Sequence, residues 1–169
     1  MNWTELLESE VNATYHATLG LLDLVEDDTL DWKPATGDNW MTTGQLIEHL
    51  TIACGLCSVG FVTGEWPMPP DASPEDMMPP AEKMTSSPSV AAAREKLQKD
   101  RELALSMIAK AGESDLADKK VPAPWNPTPQ PLGQQILSMV GHLAQHKAQL
   151  FYYLKLQGKP VHTGTMWGM

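Results

Sequence analysis

Apolar residues recur at helical spacing in four blocks of this chain, separated by polar stretches that contain proline. In the first block Leu6, Leu7, Val11, Tyr15, Leu19, Leu22 and Val25 fall near helical spacing, and Asn2 stands three residues before Glu5 as a cap. This pattern predicts a helix over about residues 3–26. The next stretch, EDDTLDWKPATGDNW, is a connection, because its Asp, Gly and Pro residues favour turns. Thr42 with Gln45 then forms a second capping pair, and the apolar run behind it predicts one helix reaching about Gly64. Residues 65–88 hold half of the fourteen prolines, which cannot sustain a helix because proline lacks the amide donor and clashes with the preceding turn. Ser87 and Pro88 supply the start of a third, Ala-rich helix that ends near Gly112. VPAPWNPTPQP is again blocked by proline, and no strand pattern competes anywhere. The last helix is predicted over Leu132–Gln157, stopped by Gly158 and Pro160.

Helices of this length, about 30–39 Å, can lie side by side and bury one shared seam. The expected architecture is all-α, a four-helix bundle. The long connection between the second and third helices permits a crossover, although pattern alone does not set the topology. With 169 residues and 42% apolar content, the chain is read as a single domain over 1–169.

Charge narrows the partners. A formal net charge of −9 without a Lys/Arg cluster argues against nucleic acid and anionic membranes. No apolar stretch is read as approaching the roughly 20 residues of a membrane span, and the N-terminal MNWTELLESE carries acids where a secretory leader carries basic residues. A cytoplasmic protein is expected, and the two cysteines, Cys54 and Cys57, fit a reducing compartment.

The sharpest chemical feature is His142-Leu143-Ala144-Gln145-His146, whose i,i+4 spacing sets two imidazoles about 6 Å apart on one helix face. His49, in the apolar run LIEHL, is a third donor that would reach across the bundle. Three imidazoles leave coordination positions open, which is the arrangement of catalytic rather than structural metal sites. On spacing alone a second reading stays open, with the paired histidines partly exposed and His49 a hydrogen-bonded core residue. Leu143 stands where zinc peptidases carry their Glu base, so peptidase chemistry is disfavoured. Glu48 lies about 100° around the helix from His49 and is read as solvated. Gln45, Gln145 and Gln149 sit one turn from a histidine, as hydrogen-bond partners for the ligands or as ordinary surface amides.

Cys54-Gly55-Leu56-Cys57 matches C-x-x-C, but it lacks the preceding strand of a redox motif and the second pair of a zinc site, so it reads as core thiols. His16 and His162 have no spacing partner. Trp40, Trp125, Tyr153 and Trp167 are candidate pocket walls or edge packing.

The run W-M-T-T-G-Q-L-I-E-H-L, joined late in the chain by P-L-G-x-x-I-L-x-M-V-G-H-L-A-Q-H-K-A-Q-L-x-Y-Y-L-K-L-x-G, resembles the DinB/YfiT-like superfamily of metalloenzymes. The resemblance spans nearly the whole chain, its specific part lies around His49, His142 and His146, and Glu65–Pro88 matches nothing in it. It implies a four-helix bundle with a long crossover, often a homodimer, with a divalent metal on the three histidines, zinc or nickel first. Members of known activity include thiol S-transferases and a thiol-dependent maleylpyruvate isomerase. The expected function is therefore metal-dependent transfer between a low-molecular-weight thiol and a small electrophilic substrate. The alternatives are metal-dependent hydrolysis and a non-catalytic stress-response module in which the metal only staples helices.

Overall fold

The computed structural model describes residues 1–66 and 79–169; the central part of the predicted 65–88 connection lies outside the described residues. Helix α1 runs over Trp3–Leu22 and begins in a reciprocal capping box between Asn2 and Glu5, as its sequence predicts. Glu113 adds a distant cap, accepting from the backbone N–H groups of Trp3 and Thr4 at 3.0 and 2.9 Å.

The predicted second helix is two helices. Helix α2 spans Thr43–Leu50 behind the expected Thr42–Gln45 capping box, and helix α3 spans Gly55–Thr63. Thr51 to Cys54 form a turn between them. The reason is a buried acid. Asp100, only 4% exposed, accepts from the N–H groups of Gly55 at 2.9 Å and Leu56 at 2.8 Å, and from the Tyr15 hydroxyl at 2.6 Å. It thus satisfies donors that a helix start otherwise leaves orphaned. Gly55 permits the approach, since a Cβ there would fall 1.9 Å from the Asp100 carbonyl oxygen. The stretch Thr43–Thr63 is by itself long and apolar enough to cross a membrane, against the sequence reading, but it is split by this turn and mostly packed inside the fold.

Helix α4 covers Val90–Asp118 and starts at Ser89, whose hydroxyl accepts from Ala92, rather than at Ser87. Gly112 interrupts it, at the point where the sequence places its end. At φ 67° and ψ 169° it makes a kink open to glycine, and helical structure resumes beyond. The proline-rich stretch read as strandless forms an antiparallel hairpin, β1 over Lys120–Ala123 and β2 over Asn126–Pro131. Its prolines sit in a two-stranded ribbon, where every strand is an edge and a missing donor costs little. Helix α5 runs Leu132–Leu156 as predicted, with Gly158 at φ 78° beyond it, and a short α6 spans Thr163–Met166.

The chain is thus mostly helical with one small sheet. Helices α1 and α3 each pack against both α4 and α5, and α2 packs chiefly against α5. Leu7, Val11, Leu46, Leu50, Leu97, Ile108, Leu143 and Leu150, all buried, fill the space between them. This packing sets α2 beside the C-terminal half of α5.

Candidate metal centre

That juxtaposition gathers the three histidines. His49 Nε2 lies 3.2 Å from His142 Nε2, and His146 Nε2 lies 3.0 Å from the same atom. Each ring contributes one nitrogen to a group whose members all lie within 4.8 Å of one another, and all three are half-buried. His142 and His146 are neighbours through the i,i+4 geometry of α5, while His49 arrives from a point 93 residues earlier.

The outer nitrogens are also held. His142 Nδ1 lies 3.2 Å from the Ala53 carbonyl oxygen, in the turn between α2 and α3. An unbroken helix would have spent that carbonyl on its own ladder. His146 Nδ1 lies 3.1 Å from Gln149 Oε1. Gln149 in turn donates to the Tyr153 hydroxyl at 3.2 Å, and Tyr153 donates to the Met41 carbonyl oxygen at 2.9 Å.

Two of the three rings resist protonation. Burial, and then the neighbouring imidazoles of His146 and His142, bring the His49 pKa down to about 4. Burial also lowers His146, against an opposing contribution from its hydrogen bond to Gln149. Neutral imidazole is the ligating form, so both shifts favour metal capture near neutral pH.

Of the other residues singled out by sequence, Gln45 spends its hydrogen bonds away from the histidines. Its oxygen caps α2 and its amide nitrogen donates to the carbonyls of Ala81 and Met84, which moors the segment before α4. Gln145 is exposed, with its side chain in none of the hydrogen bonds among the described residues. Glu48 is not a solvated residue: its side chain is 16% exposed and pairs with Lys96 on α4 at 2.5 Å. The aromatic set disperses. Trp40 and Trp32 pack edge-on against Tyr153, Trp125 joins Phe61 and Trp66, and Trp167 lies over the Lys147 ammonium. His16 contacts the Gly168 carbonyl and His162 precedes α6.

Cys54 and Cys57 are reduced thiols within and beside the core. Burial, and then the Asp100 carboxylate, push them up to about 12 and about 11, which disfavours the thiolates that redox or metal chemistry requires.

Sequence reasoning missed Asp100, the Ala53 carbonyl and Met41. Asp100 carried a signal, since it falls on the stripe Ala93, Leu97, Asp100, Ala104, Ile108 that α4 turns to the core. A backbone carbonyl carries none.

The donor set, three imidazole nitrogens converging on one point, has the chemistry of a borderline divalent cation site. No curated protein is found to match the sequence. A family model described as the DinB superfamily matches residues 10–150, which takes in all three histidines, the whole of α2, α3 and α4, and most of α5. The chain therefore belongs to the DinB superfamily.

Proposed function

We propose that this protein binds one divalent metal ion per chain through His49, His142 and His146, and that the site serves transfer between a low-molecular-weight thiol and a small electrophile. One observation carries the metal. A carbonyl oxygen only accepts, so His142 Nδ1 facing Ala53 must bear the proton, which leaves His142 Nε2 with one bare lone pair. Two other ring nitrogens stand 3.2 and 3.0 Å from that single lone pair. At most one of them can donate to it, so neutral imidazoles alone leave a repulsive contact. A cation among the three nitrogens removes the conflict, and tetrahedral ligation at 2.0–2.1 Å would space them at about 3.3 Å, near the observed separations.

When bound, a divalent ion supplies Lewis acidity, which lowers the pKa of a thiol or a water at its open positions. The chain does the rest by placement. Among the described residues no carboxylate makes an ion pair with the three rings, and the nearest in sequence, Glu48, is engaged by Lys96. Leu143, where a peptidase would place its base, is fully buried. Among the described residues no carboxylate is hydrogen-bonded to the rings, which favours a nucleophile that arrives with its own acidic proton. In the transfer, the S–H bond breaks and its proton passes to solvent, a carbon–sulfur bond forms, and the carbon's bond to the leaving group breaks as that group departs with its electron pair. We read α1, the α2–α3 pair, α4 and α5 as the four-helix bundle with a crossover through residues 64–89.

Elemental analysis should find about one equivalent of zinc or nickel in the wild type and a near-complete loss in His146→Ala; unchanged occupancy would overturn the ligand set. Cobalt-loaded protein should develop a sulfur-to-metal charge-transfer band with glutathione, bacillithiol or mycothiol. If none of these does so, while an ester is hydrolysed in a manner abolished by His49→Ala, the reaction is hydrolysis.

A further inference from the structure

We infer that Gln149 and Tyr153 are positioning residues that fix the tautomer of His146 and, through the same contacts, the placement of the helix that carries His49. The inference rests on the metal reading above and adds to it how two ligands from different helices are kept ready.

The direction of the chain of hydrogen bonds is set at its far end. The Met41 carbonyl can only accept, so the Tyr153 hydroxyl, 2.9 Å away, spends its one proton there. Tyr153 can then only accept from Gln149, which forces the amide NH₂ toward the hydroxyl, at 3.2 Å, and the amide oxygen toward His146. Facing an oxygen at 3.1 Å, His146 Nδ1 must carry the proton, and Nε2 is left as the bare donor atom pointing at the other two rings. Each link leaves the next a single choice. Tyr153 is 2% exposed and is packed edge-on by Trp32 at 5.3 Å and Trp40 at 6.2 Å, so water has little access to its hydroxyl, the end that sets the direction.

The anchor matters as much as the direction. Met41 directly precedes Thr42, the cap of α2. Four residues beyond Tyr153, Gln157 donates to the Thr43 hydroxyl at 3.3 Å. One face of α5 thus carries His142, His146, Gln149 and Tyr153 in succession, with Gln157 at its C-terminal cap. Its lower part clamps the start of α2 while its upper part presents two ligands. His49 lies less than two turns into α2, so its position is inherited from that clamp. Support of this kind for a ligating histidine is worth about 10- to 100-fold in metal affinity.

The test combines two readouts on wild type, Gln149→Leu, Gln149→Glu and Tyr153→Phe, each first checked for native helicity by circular dichroism. Long-range proton–nitrogen NMR of the metal-free proteins should show His146 as the Nδ1–H tautomer in wild type and Gln149→Glu, and a mixture in Gln149→Leu. Zinc affinity, measured by chelator competition, should fall about 10- to 100-fold in Gln149→Leu and return in Gln149→Glu, whose carboxylate still accepts from Nδ1–H. Tyr153→Phe should fall between them. A wild-type His146 with its proton on Nε2, or wild-type zinc affinity in Gln149→Leu, would overturn the inference. If His146→Ala keeps wild-type affinity, the metal reading fails instead, and the tautomer spectra judge the positioning of the ring by themselves.

Discussion

Helix α5 and the α2–α3 pair face each other across the histidine cluster, and they contribute to it by opposite means. Helix α5 is continuous for 25 residues, and regularity is what it offers: two imidazoles one turn apart, then a glutamine and a tyrosine on the same face. The α2–α3 pair contributes by being interrupted. Its break frees the Ala53 carbonyl for His142, and a buried carboxylate on α4 holds the break in place. One ligand helix is thus fixed by local geometry, and the other by a tertiary contact.

Removing that tertiary contact should have the largest effect. Asp100→Ala strands the Gly55 and Leu56 amides and the Tyr15 hydroxyl in the core, at roughly 1–3 kcal/mol per unsatisfied group. We expect a total loss of about 3 kcal/mol or more, read by urea denaturation, together with weaker zinc binding because Ala53 shifts. A stable Asp100→Ala variant with unchanged affinity would mean that the break holds itself. Gly55→Ala forces a Cβ against the same backbone and should resemble it, at about 1–3 kcal/mol.

Acid should act next. The His49 pKa is depressed in the fold to about 4, against about 6.5 when unfolded. Between those values the unfolded chain takes up a proton that the metal-free fold refuses, so stability falls as the pH drops from about 6.5 to about 4 and levels off below. The melting temperature of metal-free wild type should track that course, and His49→Ala should flatten it. Equal slopes in the two proteins would remove His49 as the cause.

The smallest effect is expected at the thiols. Replacing Cys54 and Cys57 together by Ala should leave metal content unchanged, with a modest loss of stability from the buried Cys54. A clear drop in bound metal would assign the pair a part in the site.

The same contrast explains why some elements are legible in the sequence and others are not. The extent of α5, its terminating glycine and the His142/His146 pair arise from interactions within one turn, and those are written in neighbouring residues. The split after Leu50 depends on Asp100, 45 residues beyond Gly55, and nothing in the run from Thr43 to Thr63 announces it. Gly112 breaks the helix where the sequence places its end, because a positive φ is a local property of glycine, whereas the turns beyond it carry no such signal. The hairpin at Lys120–Pro131 was hidden by prolines, which exclude a central strand but not a two-stranded ribbon. Gln45 and Gln149 each stand about one turn from a histidine in sequence. Only the tertiary fold assigns one to a loop and the other to a ligand.

The 93 residues between His49 and His142 give the proposed site a second role, in folding kinetics. Ligands so far apart meet late, because closing a long loop must precede their encounter. An ion that needs all three gains little purchase on a partly folded chain, so its binding energy acts mainly on the finished state. At a free concentration one hundred times its dissociation constant it would add about 2.7 kcal/mol to stability. That increment would appear as slower unfolding rather than faster folding, and the loaded protein would outlast the metal-free form under proteolysis limited by the rate of opening.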